Sequence, residues 1–342
     1  MSLFHQAQAT GEGHIRRLWP AVAWMITSAA IALLHLLLTG CQAEAVPPVV
    51  ASSDPEPATV PPGFTPTSDI ASSVTLALLG DVMLGRDVHP SAETFAYLEP
   101  FLSSADLVAA NLESPLTHAP VQTGSPYVLC APPEHARLLA EAGFDLLTLA
   151  NNHILDCGEE GMLETQSVLT GAGLDFAGPG PKPEYREING VRLAFLAFDA
   201  TGEFDLEAAG QAVRAAHDTR AVVIVSIHWG AEYQSGASRL QKEIAARLAQ
   251  AGALLIWGHG PHVLQPAESS KDGRTLVLYS LGNALFDQYG LANTRQSALA
   301  LVRLDPTGVV DYRAIPFTID VPNSRVAEPD AASAQDIMRY FK

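Results

Sequence analysis

The chain has 342 residues, 48% of them hydrophobic and 17% charged, which supports a buried core and excludes disorder throughout. Its formal charge of −17, with no run rich in Lys or Arg, argues against nucleic-acid binding, which needs a basic face to neutralise phosphates. The same acidity disfavours passive attraction to anionic lipid.

Membrane contact is instead expected at the N-terminus. Arg16 and Arg17 precede the uncharged stretch 19–38, which runs into Leu38-Thr39-Gly40-Cys41. A basic n-region, an apolar h-region and small residues before the cut describe an export signal. The four residues ending at Cys41 match the bacterial lipobox, with cleavage before Cys41 and lipid on its thiol. An uncleaved signal anchor is the rival, because about 20 apolar residues can span a bilayer. Either way the basic side stays in the cytoplasm and the remainder lies outside, as a lipoprotein on the outer face of the membrane or in the periplasm. Residues 42–73 are rich in Pro, Ala, Ser, Thr and Val without helical or strand period. They read as an extended spacer holding a domain of residues 74–342 clear of the bilayer.

From residue 74 strand and helix signals alternate. The run 74–79 reads as a strand ending in Gly80-Asp81. Residues 92–103 read as a helix and 107–110 as a strand leading into Asn111-Leu112-Glu113. Residues 132–142 open with proline and close at Gly143, as helices prefer. The strand 144–150 runs into Asn151-Asn152-His153, and the helix 159–170 stops at Gly171. Residues 184–188 and 191–198, joined by Asn189-Gly190, carry the strongest short hairpin signal. The strand 221–228 leads into His228-Trp229-Gly230. A helix over 239–251 stops at Gly252, and the strand 254–257 leads into Gly258-His259-Gly260-Pro261-His262. Residues 263–279 and 298–317 read as mostly strand. The alternation predicts an α/β fold, with a mixed or antiparallel sheet in the C-terminal part.

Five of these strands end in a group able to ligate a metal, and ligands of open α/β sheets bind beyond the carboxyl ends of strands. Asp81 and Glu113 offer hard oxygen donors, Asn152 an amide oxygen, and His153 a neighbouring proton donor. His228 ends an apolar strand, and His259 and His262, three apart around a Gly-Pro turn, could reach one locus. Taken singly, each has an ordinary reading as a turn aspartate, a surface glutamate or a hydrogen-bonded core histidine. Together they suit a metal-assisted hydrolytic centre holding one or two ions of Mn, Fe or Zn. Glu232 and Tyr233 are read as lining a substrate groove, and Asp156 as capping the next helix or buttressing His153. His5, His14, His35, His89, His118, His135 and His217 lack partners at informative spacing. With Cys41 assigned to lipid, Cys130 and Cys157 are read as two ordinary, partly buried thiols, although they could pair outside the cytoplasm.

The runs Gly80–Met83, Asn111–Glu113, Ala150–Gly158, His228–Tyr233, Gly258–Pro266 and Tyr279–Asn283 together resemble the CapA family of capsule and poly-γ-glutamate synthesis proteins. That family is similar to the calcineurin-like metallophosphoesterases, and the likeness runs from about Val74 to Phe317. It implies a four-layer α-β-β-α sandwich, with Asp81, Glu113, Asn152, His228, His259 and His262 as metal ligands. By the same resemblance His153 is the general acid, and Asn283 contacts substrate or shapes its turn. The implied function is a metal-dependent hydrolase of phosphoesterase type in capsule or poly-γ-glutamate metabolism, partnered by an anionic envelope polymer or its synthase complex. A non-catalytic polymer-synthesis partner and a hydrolase of γ-glutamyl amides are the alternatives. Three departures from broader metallophosphoesterases stand out: Met83 replaces a histidine, Glu113 an aspartate, and His259 and His262 are three apart with Gly260 between them.

Overall fold

The computed structural model describes residues 72–342. The export signal, Cys41 and the spacer up to residue 71 lie outside the described residues. In chain order the first strands are β1 (Val74–Val82), β2 (Leu107–Leu112), β3 (Leu146–Thr148), β4 (Asp175–Ala177), β5 (Gly180–Ile188), β6 (Val191–Asp199) and β7 (Val222–His228). They continue with β8 (Ala253–His259), β9 (Leu264–Ser269), β10 (Leu276–Leu281), β11 (Asn283–Leu285), β12 (Gln296–Asp305), β13 (Gly308–Asp320) and β14 (Arg325–Ala327). The helices are α1 (Glu99–Leu102), α2 (His135–Glu141), α3 (Gly158–Gly171), α4 (Leu206–Asp218), α5 (Arg239–Ala251) and α6 (Ala331–Met338).

Two sheets form. One has the order β14-β13-β12-β1-β2-β3-β4, with β11 also pairing β1; the other runs β5-β6-β7-β8-β10-β9. The strands β1 to β4 are parallel to one another, as are β6, β7, β8 and β10. Antiparallel strands flank both sets. Strands β2, β7 and β8 are buried at every residue, which explains their continuous apolar runs.

Alternate side chains of each central strand feed different cores. Leu76 and Leu78 of β1 meet Leu193 and Phe195 of β6, Ile224 of β7 and Trp257 of β8 in a cluster between the sheets. Ala77 and Leu79 face the other way, with Leu98, Leu139 and Leu169 from the helical layer. On the far side Leu196, Val225 and Ile256 pack with Val213 of α4 and Leu248 of α5. The Trp257 indole N–H donates to Leu79 O at 2.9 Å, tying one sheet to the other. The result is the α-β-β-α sandwich that the resemblance implied.

Local sequence accounts for most boundaries. Asn189 and Gly190 take φ of 51° and 76° and turn β5 into β6, as a type I′ hairpin requires. Ser238 and Gln241 cap α5 reciprocally, and Gly252 ends it at φ 113°. The helix expected over 92–103 reduces to α1, because Pro100 has no N–H to donate back to Ala96 and so sits in the first turn of a helix and not in its interior. Helices α4 and α6 were not anticipated; α6 buries Ile337 against Leu264, Ala298 and Ala314.

Cys130 and Cys157 are joined in a disulfide, so they are not the separate thiols expected from the sequence. The stretch leading into Cys130 packs against the residue that precedes Cys157. Gln122 N donates to Asp156 O and Leu129 N to Asp156 Oδ2, both at 2.9 Å, bringing the two Cα atoms to 6.4 Å. A separation of 27 residues carries no such distance.

Candidate metal centre

The carboxyl ends of the parallel strands in both sheets meet at one place. Asp81, near the end of β1, is reached through a crossing so tight that a Cβ on Gly80 would lie 1.7 Å from Gly282 O. Asp81 N donates to that carbonyl at 3.1 Å, so the Gly80-Asp81 and Gly282-Asn283 runs are two sides of one contact. Asp81 is fully buried, accepting from Asn111 Nδ2 at 2.8 Å and from Gly260 N at 3.2 Å. Its oxygens lie 3.9 Å from His228 Nδ1, 3.8 Å from His259 Nδ1 and 3.4 Å from His262 Nδ1.

Glu113 closes the other side. Its Oε1 is 3.7 Å from His228 Nε2, 3.8 Å from His262 Nε2 and 3.9 Å from His153 Nε2. Both Glu113 oxygens and His259 Nδ1 are buried without any hydrogen-bond partner. Leaving three polar atoms unpaired in one cavity is costly unless something else pairs them. Asp81, Glu113 and His228 offer ligand atoms all within 4.8 Å of one another. At metal–ligand lengths of about 2.0–2.2 Å, tetrahedral donors stand about 3.3–3.6 Å apart, close to the spacings seen here. The oxygen and imidazole donors thus fit a divalent cation, which would pair the two Glu113 oxygens and His259 Nδ1 that the protein leaves unpartnered.

Hydrogen bonds behind the cage set which ring nitrogen faces it. His259 Nε2 lies 3.0 Å from Ser226 Oγ, which donates to Thr148 Oγ1 at 3.0 Å, and Thr148 in turn to Asn111 Oδ1 at 3.4 Å. With the Ser226 hydroxyl proton directed at Thr148, Ser226 accepts from His259 Nε2–H and leaves Nδ1 free to ligate. Asn283 Nδ2 donates to Gln288 Oε1 and Thr294 O, both at 3.0 Å, so its Oδ1 accepts from His262 Nδ1–H at 3.0 Å. His262 Nε2 therefore faces Glu113. His262 itself has φ +57°, a left-handed conformation that side chains rarely adopt outside constrained sites. His153 Nδ1 donates to Asp156 Oδ2 at 2.9 Å, which aims Nε2 at Glu113.

The structure brings Asp81, Glu113, His153, His228, His259 and His262 together. Asn152 is exposed, while its neighbour Asn151 is buried and donates to Asn111 Oδ1 and Leu112 O. Glu232 and Tyr233 are exposed, and the Tyr233 ring lies 6.2 Å from that of His262. Asn283, read as a substrate contact or a turn former, is fully buried with its polar atoms engaged by protein, and stands behind His262. Asn111, Asn151, Thr148 and Ser226 were missed as site residues, although Asn111 and Asn151 lie inside the motifs. The departures at Met83 and Gly260 have local reasons. Met83 is fully buried in the core on the helical side of β1. A Cβ on Gly260, at φ +100°, would lie 3.0 Å from the His228 ring and leave no room for a side chain.

Burial opposes ionisation of Asp81, yet the hydrogen bond with His262 and the three imidazoles outweigh it and hold the carboxyl well below its usual range. Burial raises Glu113 well above the ordinary glutamate value; His262 offsets part of this and Asp81 adds to it. Burial lowers His228 to about 4 and His259 to about 3, so both rings are neutral and ready to ligate at neutral pH. On His262 burial is outweighed by Glu113 and Asp81, which raise it to about 9.

A family model described as bacterial capsule synthesis protein PGA_cap matches residues 75–288. The chain belongs to this family. Over 304 residues it is 32% identical to the PGA biosynthesis protein CapA of Bacillus subtilis (strain 168), covering 80% of this chain and 78% of that one. It is also 32% identical over 280 residues to the capsule biosynthesis protein CapA of Bacillus anthracis, covering 72% of this chain and 67% of the relative. A solved structure from Mycoplasma pneumoniae, described as a novel phosphatase, superposes with a TM-score of 0.50 at 14% identity, over 72% of this chain and 94% of that one. The likeness is one of fold. Among the described residues, no helix is long and apolar enough to cross a membrane.

Proposed function

We propose that this capsule synthesis protein is an exported, membrane-tethered, divalent-metal-dependent hydrolase of phosphoesterase type, acting in the metabolism of an envelope polymer such as poly-γ-glutamate. One observation carries the reading: two carboxylates and three imidazoles enclose a buried space in which both Glu113 oxygens and His259 Nδ1 have no protein partner. Asp81, Glu113, His228, His259 and His262 would hold the ion, with Asn152 at the exposed side. When bound, such an ion polarises the oxygen it touches and lowers the pKa of a coordinated water to about 7.

The chain's own residues supply the rest. Asp156, fixed by Leu129 N, anchors His153 through Nδ1 and leaves Nε2 beside Glu113 to hold and deliver a proton to a leaving group. Positioned proton transfer of this kind is worth about 10²–10⁴-fold. The Cys130–Cys157 disulfide belongs to an oxidising compartment, which agrees with the export signal and lipobox at Cys41. The names of the relatives, PGA biosynthesis and capsule biosynthesis proteins, supply the polymer context.

The test uses the full chain loaded with Mn²⁺, assayed on aryl phosphate esters and on γ-glutamyl polymer. We expect ester turnover that His153→Gln lowers about 10²–10⁴-fold at unchanged metal content. Polymer cleavage without ester turnover would identify an amidase instead. Stoichiometric metal with polymer retention and no turnover of either substrate would replace the enzyme with a non-catalytic partner.

A further inference from the structure

Beside the cage lies an arginine that neither the ligand set nor the proton donor uses. Arg86 follows the Gly80–Gly85 segment with φ +52°, a strained conformation for a residue with a long side chain. Asp287, its side chain only 6% exposed, accepts from Arg86 Nε at 3.0 Å and also from Nη2. The same carboxylate accepts from Asp87 N at 3.3 Å, so the backbone and the guanidinium are fixed by one buried group. The guanidinium carbon sits 5.4 Å over the Phe286 ring, and that ring meets His262 edge-on at 4.9 Å. Two short contacts therefore connect the arginine to a cage imidazole.

Its charge reaches the site. Arg86 counters the burial that raises both Glu113 and Tyr233. Its side chain is 29% exposed, and the edge not held by Asp287 has no hydrogen-bond partner among the described residues. Tyr233, also left-handed at φ +63°, accepts from Gln288 Nε2 at 3.4 Å, and Gln288 accepts from the Asn283 that orients His262. Glu232 is exposed beside it and hydrogen-bonds the tyrosine. A negative charge there penalises an anion across the rim except against the guanidinium. A planar fork with one edge pinned and the other free is suited to a carboxylate, which it can bind through two parallel N–H bonds.

We propose that Arg86 is a specificity-determining residue that binds a carboxylate of the substrate while the scissile group occupies the cage. The substrate class is thereby narrowed to phosphate esters whose alkyl part carries a free carboxylate a few bonds from the reacting centre. This rests on the hydrolase reading for what happens in the cage, but its test does not require turnover.

The probes are non-hydrolysable: methylphosphonate against phosphonoacetate, 3-phosphonopropionate and 4-phosphonobutyrate, titrated calorimetrically into the Mn²⁺-loaded full chain. The wild type should bind the best carboxylated probe about tenfold or more tighter than methylphosphonate, as a charge-assisted hydrogen-bond pair predicts. In Arg86→Gln that ratio should fall to near one, and in Arg86→Lys, which keeps the charge and loses the fork, it should be intermediate. A wild type without preference, or a ratio unchanged in both variants, overturns the proposal. A lowered melting temperature with the ratio preserved makes Arg86 a structural clamp on Asp287 and likewise overturns it. Because none of the four probes is hydrolysed, an Arg86-dependent preference in a protein that cleaves no ester would refute the hydrolase reading alone. Ester turnover with no such preference would refute this proposal alone.

Discussion

Metal uptake should release protons, and the structure says from which residue. Neutral imidazole is the ligating form. His228 and His259, lowered by burial to about 4 and about 3, have no proton to lose near neutrality. His262 is different: Glu113 and Asp81 raise it to about 9, so it is a cation in the metal-free protein at every pH below that. Binding therefore expels one proton from His262, and Glu113, raised well above its ordinary value, adds a second to the extent that it is protonated. Between about pH 5.5 and 6.5, below the pKa of about 7 for a metal-bound water, each proton released makes affinity rise about tenfold per pH unit, or about 1.4 kcal/mol. Calorimetric titration of Mn²⁺ in two buffers of different ionisation enthalpy measures the proton count directly. Replacing His262 by Gln should reduce it by one. Release of less than half a proton by the wild type in this window would refute the charge assignment to His262, and with it the cage as drawn.

Further outcomes follow from the same geometry. The metal-free domain should lose stability as pH falls from about 6.5 toward 4. The unfolded chain protonates His228 and His259 at about 6.5, whereas the folded one holds them neutral to about 4 and about 3. Each histidine contributes a slope approaching about 1.4 kcal/mol per pH unit, and Glu113, raised in the folded state, offsets part of it; urea midpoints read the net, and a profile without a fall would contradict the two buried neutral rings. Reducing the Cys130–Cys157 bond, which spans 27 residues, should cost about 3–4 kcal/mol by the loop-closure relation. It should also lower turnover at unchanged metal content, since Asp156 adjoins Cys157 and anchors His153. Gly80→Ala puts a methyl 1.7 Å from Gly282 O and should displace Asp81, lowering the melting temperature and abolishing metal retention together. Retained metal in a folded Gly80→Ala protein would show that the crossing does not position Asp81.

The parts legible in the sequence are those in which one residue type answers one local demand. Continuous apolar runs announced β1, β2, β7 and β8, because strands buried on both faces leave no alternation. Asn189-Gly190 and Gly252 announced a turn and a helix end, because few residues tolerate those dihedrals. Helix α4 escaped notice although Asp205 caps it, its side chain accepting from Ala208 N. Its buried residues Ala209, Val213 and Ala216 also recur at helical spacing, so the signal was present and was not read. The Cys130–Cys157 bond and the placement of Asn283 were illegible for another reason. Each depends on a contact between segments distant in the chain, and neither residue type states its partner. Asn111 and Asn151 stood in plain sight within the motifs. What the sequence could not show is that their amides fix the acceptor geometry of Asp81 and the path of the chain toward His153.

Asp81 and Glu113 belong to one sheet, while His228, His259 and the turn carrying His262 belong to the other. A cation held by all of them would fasten the two halves of the sandwich at one end like a buckle, while Trp257 and Leu79 stitch them together within the core. Chelation should accordingly loosen the molecule unevenly. Amide exchange should quicken first in the loops after β3, β7 and β8, with the middle of β1 and β7 still protected, so that the caged end comes undone before the body does.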